Sequence, residues 1–432
     1  MTLSPRRLLM AGAAVLIALG LLLGGAVLGN PGDAVEQEQS AGATPAAPGS
    51  IEALQAQLER LPGDYPGWAT LGLLYVDRAR TTLDPSWYAR AQGAFDQSLE
   101  VRGEDNGGAM AGLASLQAAQ HQFDQAEASA RAAIAINDFD ATAYGVLTDA
   151  LTELGRYDEA AEALQQMADI DPGYATLTRI SYQRELRGDV DGARTAMQQA
   201  LDTAASRPDK GFALYQLGEL AWGYDGDAAG AVALWEQGLA QDPASLPLKA
   251  ALARAAGAAG RTDEALAGYE EVTGRVPVQL YLVEDADLLR SQGDEQGAAD
   301  QLELVETANA LLESAGSVVD LESALFEADH GSPERAVAKA QAAYAVSPGS
   351  VFVNDALAWA LHAAGRSDEA LPYADTALSL GMRRASFVFH RGMVLDALGR
   401  TDEAKAAMQE ALEINPNFSI PYAVRAREVL AG

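Results

Sequence analysis

The chain contains no cysteine, and this absence excludes several kinds of chemistry. Disulfides, thiolate zinc sites, covalent haem attachment and cysteine nucleophiles all need a thiol, and none of the 432 residues supplies one. Histidine is also scarce: there are four, and no two lie three or four positions apart, as a helical metal pair requires. The sequence therefore predicts no catalytic residues, no metal site and no cofactor, and we expect a protein that is not an enzyme.

Positive charge is scarce as well. Lysine and arginine number 30 against 61 aspartates and glutamates, which gives a formal net charge of −31. So much negative charge repels the phosphates of nucleic acids and of anionic lipid surfaces. We therefore expect no nucleic-acid partner. The acids are interpreted as a solvated helix surface, with a basic protein partner as the alternative.

The first fifty residues differ in composition from the rest. Arg6 and Arg7 precede an uncharged stretch, residues 8–28, which would span roughly 30 Å as a helix, the thickness of a bilayer core. The sequence Val27-Leu-Gly29 is a poor site for signal-peptide cleavage. We predict an uncleaved transmembrane signal anchor over 8–28, with residues 1–7 in the cytoplasm.

The predicted anchor determines where the rest of the chain should lie. Because the two arginines stay inside, the C-terminal domain of this single-pass protein should be extracytoplasmic, at the cytoplasmic (inner) membrane. Residues 29–50 are rich in Pro, Gly and Ala without an apolar period, and they predict a flexible linker. Gly20-x-x-x-Gly24 and Gly25-x-x-x-Gly29 would allow a weak homodimer through the transmembrane helix, although glycine is common in such helices.

One short motif recurs along the remaining chain at nearly constant spacing. Its first residues lie 33, 38, 34, 33, 38, 34 and 34 positions apart, the period of a stacked helix–turn–helix solenoid. Apolar residues before and after each motif fall three and four apart, as helices require. The eight copies are Gly155-Arg-Tyr-Asp-Glu-Ala160, Gly188-Asp-Val-Asp-Gly-Ala193, Gly226-Asp-Ala-Ala-Gly-Ala231, Gly260-Arg-Thr-Asp-Glu-Ala265, Gly293-Asp-Glu-Gln-Gly-Ala298, Gly331-Ser-Pro-Glu-Arg-Ala336, Gly365-Arg-Ser-Asp-Glu-Ala370 and Gly399-Arg-Thr-Asp-Glu-Ala404.

The motif is interpreted as the bend between two helices. Gly155 can end the first helix in a left-handed conformation, and Asp158 is expected to cap the free amides of the second. Pro172 stops that second helix and begins the next unit. The motifs would then explain the fold and carry no function themselves.

The pattern resembles that of tetratricopeptide repeat (TPR) proteins of the membrane-anchored bacterial type. Trp68-x2-Leu71-Gly72-x2-Tyr75 followed by Ala91-x3-Phe95 matches the family pattern, and later units match more loosely. The resemblance implies an all-α, right-handed TPR superhelix of about ten repeats over residues 51–432, preceded by the one N-terminal transmembrane helix. Residues 420–430 would form a C-terminal capping helix.

Extra residues interrupt the period in three places. They fall at Thr81–Trp87, near Arg207–Lys210 and near Leu311–Gly316. Two interpretations stay open for them, a change in the curvature of the superhelix or loops that bind a ligand.

The resemblance also implies a binding groove, because the first helix of each TPR unit lines a concave surface. Its second, fifth, ninth and twelfth positions would face a protein or peptide partner, such as an apolar helix or an extended segment. The alternative is that these side chains pack between repeats. The candidate groove residues are Tyr182, Phe212, Tyr215, Glu219, Trp222, Arg254, Asp287, Arg290, Phe352, Asp355, Trp359, Phe389 and Met393.

The leading functional hypothesis is a non-catalytic protein–protein interaction scaffold, tethered to the membrane with its TPR domain outside the cytoplasm. A narrower alternative is an assembly factor or chaperone for exported proteins, since residues 51–75 look like the periplasmic TPR part of c-type cytochrome maturation proteins. A third hypothesis is a metal-dependent or other hydrolase, against which the scattered histidines weigh.

Overall fold

The computed structural model describes residues 49–82, 86–314 and 321–432, and the predicted anchor over 8–28 lies outside them. Of the predicted linker, only its last two residues fall within these ranges. The described residues form 22 α-helices and no strand. Within this part of the chain, no helix combines the length and apolarity that crossing a bilayer demands.

The helices follow one another as antiparallel pairs. Ten pairs run from α2/α3 to α20/α21, with α1 before the first pair and α22 after the last. The predicted all-helical solenoid of about ten repeats is thereby confirmed. The helices are α1 Ile51–Arg60, α2 Tyr65–Thr82, α3 Ser86–Val101, α4 Gly107–Ala119, α5 Phe123–Ile136, α6 Ala141–Glu153, α7 Tyr157–Ile170, α8 Tyr174–Leu186, α9 Val190–Thr203, α10 Arg207–Tyr224, α11 Ala228–Gln241, α12 Leu246–Ala258, α13 Thr262–Thr273, α14 Gln279–Ser291, α15 Glu295–Ser314, α16 Leu321–His330, α17 Pro333–Val346, α18 Val351–Ala363, α19 Ser367–Ala377, α20 Ala385–Ala397, α21 Thr401–Ile414 and α22 Ile420–Ala431.

Small side chains hold the two helices of each pair together. The contact residue of the first helix is small, like that of the second. A Cβ on Gly72 would overlap the ring of Phe95, and a Cβ on Gly218 would overlap the ring of Trp235. Such close-packed positions tolerate little added volume. The recurring alanine of the second helix has no exposed surface in any of the ten pairs, as Ala91, Ala126, Ala160, Ala193, Ala231, Ala265, Ala298, Ala336, Ala370 and Ala404 show.

The turn chemistry differs in one respect from the expectation. Gly155 has a φ of 74°, so the predicted left-handed helix ending is present. Asp158 does not cap the next helix, because the residue before α7 is Arg156 and Asp158 lies inside the first turn. The Arg156 guanidinium instead donates to the carboxylate of Glu159, with 2.7 Å between Nε and Oε1. An ion pair between residues three positions apart at the start of the helix therefore takes the place of the predicted cap.

Two of the three interruptions of the period lengthen helices. Arg207–Tyr224 is a continuous helix of 18 residues, whose first turn contains the extra segment. Glu295–Ser314 is a helix of 20 residues that runs into the second extra segment. The insertion at 207–210 therefore extends α10 and is not a loop, and the described part of the second insertion, residues 311–314, extends α15.

The solenoid closes on itself along a seam between turns that are far apart in sequence. The backbone N–H of Val351 donates to the hydroxyl of Tyr157 over 2.9 Å. A Cβ on Gly155 would overlap the backbone of Gly349 and Ser350. The bend of the third helix pair thus lies against the loop that follows the eighth pair.

The same contact recurs one and two pairs further along. A Cβ on Gly188 would lie 2.5 Å from the carbonyl oxygen of Gly381, and one on Gly226 would lie 3.3 Å from that of Ile414. We call these three contacts, together with Tyr157–Val351, the seam. Because the seam joins successive turns of the superhelix, the concave side becomes a partly enclosed space.

Apolar and ionisable side chains are buried beside the seam. Tyr157, Leu186, Val351 and Phe387 belong to one hydrophobic cluster that draws on both sides of it. Glu153 is 7% exposed, and burial, reinforced by the nearby charge of Asp149, raises the pKa of its carboxyl to about 8. The native protein therefore holds a proton on Glu153 that the unfolded chain would release at lower pH.

We expect Gly155→Ala to open the seam. The new alanine would have to adopt an unfavourable left-handed conformation, at a cost of roughly 1–2 kcal/mol, and its Cβ would also overlap Gly349. Gly260→Ala is the matched control, since Gly260 has a φ of 75° but no atom within 4 Å of the place that a Cβ would occupy. Hydrogen exchange at the Val351 amide should accelerate in Gly155→Ala only, and equal acceleration in both variants would contradict the seam.

Ionisation of Glu153 should lower stability as the pH rises. The folded pKa lies near 8 and the ordinary value is 4.5, so the unfolded state binds fewer protons in this window and the free energy of unfolding falls between about pH 4.5 and 8. Each unit of pKa shift corresponds to about 1.4 kcal/mol. Urea titrations at pH 5 and 8.5 should show that the free energy of unfolding falls less between the two pH values for Glu153→Gln than for the wild type or for the exposed control Glu162→Gln. Equal falls in the free energy of unfolding of all three proteins would show that ionisation of Glu153 does not destabilise the fold.

Candidate functional site

The seam and the first helices of the repeats enclose a cavity of about 440 Å³. Its walls come mainly from the first helices of the third to tenth pairs, α6, α8, α10, α12, α14, α16, α18 and α20, and from α22, with one residue, Met197, from α9. We call this space the central cavity. It occupies the concave side, where the groove was predicted.

Eight of the thirteen candidate groove residues line the central cavity. They come from three consecutive first helices, α8, α10 and α12, and from α18, which the seam brings round to face them. These eight are Tyr182, Phe212, Tyr215, Glu219, Trp222, Arg254, Phe352 and Asp355. The geometry therefore assembles most of the predicted set around one space, and their role in binding a partner stays a prediction.

The C-terminal helix covers three other candidates. Trp359, Phe389 and Met393 are 8%, 1% and 9% exposed and share a hydrophobic cluster with Tyr422 of α22. The ring of Tyr422 stacks on Phe389 at 4.7 Å between centroids. These three side chains pack between elements of the fold, which is the arrangement that the alternative interpretation described.

The last two candidates lie next to each other outside the cavity lining. Arg290 Nη1 is 3.7 Å from a carboxylate oxygen of Asp287. Burial and the nearby charge of Asp329 raise the pKa of Asp287 to about 7, while Arg290 opposes this shift. The pair therefore belongs to a group of charges behind the cavity wall, on α14.

Trp222 contributes mainly to packing, although it also touches the cavity. It is 4% exposed, and its ring lies 5.7 Å from that of Trp235. The guanidinium of Arg254 lies 5.3 Å from the centroids of both rings, within cation–π range. Trp222 thus positions Arg254 at the cavity wall.

Arg254 is held between two carboxylates. Its guanidinium lies 2.5 Å from an oxygen of Glu219 and 3.8 Å from one of Glu284. All three side chains keep between 22% and 25% of their surface accessible because they face the cavity. Burial raises the pKa of Glu284, and the charge of Arg254 opposes that rise. The group is a charged bridge across the first helices α10, α12 and α14.

Glu185 and Arg384 are cavity residues that the candidate set missed. Glu185 stands at the twelfth position of its unit, so the same positional rule includes it. Its carboxylate accepts a hydrogen bond from the Tyr224 hydroxyl over 2.8 Å. Burial raises the pKa of Glu185, and Arg384 and the Tyr224 hydrogen bond oppose the rise.

Arg384 has an unusual environment for an enclosed cation. It precedes α20 and its guanidinium lies 5.6 Å from the centroid of Phe352. Among the described residues, no hydrogen-bond acceptor or carboxylate lies within bonding distance of it. No positional rule for helix residues identifies Arg384, because it lies just outside the helix.

Further carboxylates and rings complete the wall near α22. Asp329 accepts hydrogen bonds from Trp359 Nε1 over 2.8 Å and from the Tyr422 hydroxyl over 2.5 Å. The Nδ1 atom of His390 lies 3.0 Å from both carboxylate oxygens of Asp355. In the part of the chain that the structure describes, no group of three or more His, Asp or Glu side chains could hold a metal ion. The wall as a whole combines aromatic faces with charged and hydrogen-bonding groups, which suits non-covalent binding.

Comparison with known proteins gives several similarities. The chain shares 30% identity over 173 residues with "Cellulose synthase operon protein C" of Pseudomonas fluorescens (strain SBW25), which is 37% of this chain. The chain spans only 14% of the length of that curated relative.

Solved helical-repeat structures are also similar to parts of the chain. The crystal structure of the APC/C hetero-tetramer Cut9-Hcn1 has 13% identity and a TM-score of 0.38, over 89% of this chain and 90% of that one. The type IV pilus biogenesis factor PilW has 19% identity and a TM-score of 0.40, over 48% and 97%. PilF of Pseudomonas aeruginosa has 17% identity and a TM-score of 0.38, over 53% and 100%.

Two segments of the chain match family models directly. Residues 112–175 match one model of the tetratricopeptide repeat, and residues 385–418 match a second. The first match falls on pairs two and three, and the second falls on pair ten. Both matches therefore support the assignment of these repeats to the tetratricopeptide repeat family.

Proposed function

We propose that this chain is a non-catalytic scaffold that holds a protein partner in the central cavity, while residues 8–28 tether it to the membrane. The observation that supports this most is the enclosed space on the concave side of the repeats, lined by eight of the predicted groove residues. TPR proteins typically bind other proteins, and aromatic and arginine side chains are frequent anchors of such contacts.

The size of the cavity limits what can enter it. A volume of about 440 Å³ falls within the range of small-ligand sites. A site of that size suits a side chain, a short segment or a chain end of a partner better than the whole helix that an open groove would accept.

Phe212 is the side chain best placed to report on such an insertion. It lines the cavity, is partly exposed there and belongs to none of the hydrophobic clusters of the described residues. Burial of its ring by a partner would contribute about 1.5–3 kcal/mol. Removal of the ring should weaken binding without loss of the fold, whereas removal of Trp222 would also disturb the core.

An assembly factor for exported proteins is a narrower form of the same proposal. The small volume favours it, because an unfolded exported chain can present a free end, while a folded partner presents a broad surface. The resemblance of residues 51–75 to the periplasmic TPR part of c-type cytochrome maturation proteins accords with such a role. The two forms differ only in the identity of the partner.

A photo-crosslinking residue at position 212 should capture a partner in intact membranes from cells that express the full chain. The same residue at position 139 is the control, because Phe139 is 74% exposed and lies outside the cavity. Phe212→Ala should weaken binding of the captured partner at least tenfold, as the loss of about 1.4 kcal/mol implies. Equal capture at both positions, or none at 212, would refute binding in the cavity.

The tether gives a separate prediction about topology. We infer from Arg6, Arg7 and the uncharged residues 8–28 that the repeats lie outside the cytoplasm. A reporter that is active only outside the cytoplasm, fused after Gly432, should be active, and deletion of 8–28 should remove both that activity and the membrane association. Activity of a cytoplasm-specific reporter at the same point would reverse the proposed orientation.

A further inference from the structure

We propose that the central cavity receives a positively charged group, namely a lysine or arginine side chain on the inserted segment of the partner. This inference rests on the proposed function and names the chemistry of its partner. Three features of the wall support it: the balance of charge, two carboxylates with no cation within salt-bridge distance, and a set of partly exposed aromatic side chains.

The charge balance of the wall favours a cation. Seven carboxylates and three arginines line the cavity, a formal excess of four negative charges when every group is ionised. Burial raises the pKa of Asp149, Glu185 and Glu284, which reduces that excess where these groups hold a proton. Two of the arginines are already engaged, Arg179 with Asp149 at 2.6 Å and Arg254 with Glu219 at 2.5 Å. Charges inside an enclosed space are screened less by salt than exposed ones. An incoming cation is therefore attracted, and an anion meets mostly repulsion.

Two wall carboxylates have hydrogen-bond donors but no salt-bridge partner, although the charge of Arg384 acts on Glu185 from a longer distance. In the described structure, no basic side chain lies within 4 Å of Glu185 or Asp329. Glu185 receives one hydrogen bond, from Tyr224, and Asp329 receives one at each oxygen. A carboxylate offers about four lone-pair positions, so both groups retain acceptor capacity for an ammonium or guanidinium. Neutral donors hold these two carboxylates in place while the position of the cation stays open.

The aromatic residues supply faces for the rest of a basic side chain. Tyr182, Phe212 and Tyr215 line the same space and keep part of their surface accessible. Lysine and arginine carry apolar stems that pack on such rings, and their charged ends are attracted to the ring faces. The wall thus matches both parts of a basic side chain.

Proton release provides a signature of this mode of binding. Burial raises the pKa of Glu185, and the groups that face it are Arg384 before α20, Glu219 and Tyr224 of α10, and Tyr182 on its own helix. A cation placed beside Glu185 would lower that pKa, so a proton leaves as the ligand binds at any pH where Glu185 is protonated in the empty cavity. Affinity should then increase as the pH rises through the folded pKa of Glu185.

The unpaired guanidinium of Arg384 supports the opposite possibility, an anionic ligand. The test therefore compares trilysine with triglutamate as probes, using the purified full chain and titration calorimetry in two buffers of different ionisation enthalpy. We expect saturable binding of trilysine with proton release, and no saturable binding of triglutamate. Binding of triglutamate alone, or of neither peptide, would overturn the inference.

Isosteric variants test the residues that carry the inference. Glu185→Gln keeps an oxygen for the Tyr224 hydroxyl, and Asp329→Asn is a second variant in case the first fails to fold. Each should weaken trilysine binding at least fivefold, and Glu185→Gln should also reduce the proton release. Glu236→Gln makes the same change of charge on the exposed surface of α11 and should leave binding unchanged. An equal effect of Glu236→Gln would show that trilysine responds only to the net charge of the protein.

The crosslinking experiment separates this inference from the proposed function. Capture of a partner at position 212 together with no binding of trilysine would overturn the inference and leave the scaffold function standing. No capture at 212 would overturn the scaffold function, while trilysine binding that depends on Glu185 would still establish the charge preference of the cavity. If both hold, excess trilysine should compete with the captured partner.

Discussion

The architecture depends on the approach of two backbones at the seam. At Gly155 and Gly349, and again at Gly188 and Gly381, there is no space for even one additional carbon atom. The contact repeats with the period of the helix pairs. The bends of the third, fourth and fifth pairs therefore lie against the segments that follow the eighth, ninth and tenth pairs. Without these contacts the concave side would be an open groove. With them it is a cavity with a wall drawn from ten helices.

The seam in turn depends on how each pair is packed. A solenoid can return to itself only if every repeat turns the chain by nearly the same amount. The ten alanines without exposed surface, and the glycines opposite Phe95 and Trp235, allow the paired helices to come close together. Larger residues would change the angle at one pair, and the displacement would accumulate over the five pairs that separate the two sides of the seam. The small residues therefore affect the cavity from a distance.

The sequence predicted the local parts of this structure better than the distant ones. Helix pairs, their bends and the small residues repeat every 34 positions or so, and the period is visible without a structure. Gly155 and Gly260 have the same motif and nearly the same φ, yet only Gly155 meets another backbone. Nothing in the local pattern distinguishes them, because the partner of Gly155 is 194 positions away. Asp158 was predicted to cap a helix and does not, since Arg156 occupies the capping position and pairs with Glu159.

The candidate site was predictable to the extent that it follows the positions of the first helices. Phe212 and Tyr215 line the cavity as the rule requires, and Glu185 satisfies it as well. Closure adds residues from other positions. Arg384 lies before its helix, and Tyr422 belongs to the terminal helix that covers Phe389. These residues reach the site because the chain returns to itself, and no periodicity within one repeat contains that information.

Closure and occupancy of the cavity are thermodynamically linked. Closing the seam confines Glu153, Glu185 and Glu284 where burial raises the pKa of each, so part of the free energy gained from apolar contacts at the seam offsets the confinement of acidic groups. A bound cation lowers that cost only in the closed form, because only that form brings Glu185 near Arg384 and α20. A ligand that binds one form stabilises it by RT ln(1 + [L]/Kd), about 2.7 kcal/mol at a hundredfold excess over Kd. The acidic wall thus makes the closed superhelix less stable when it is empty than when it is filled, and a basic segment in the cavity reinforces the backbone contacts that create the cavity.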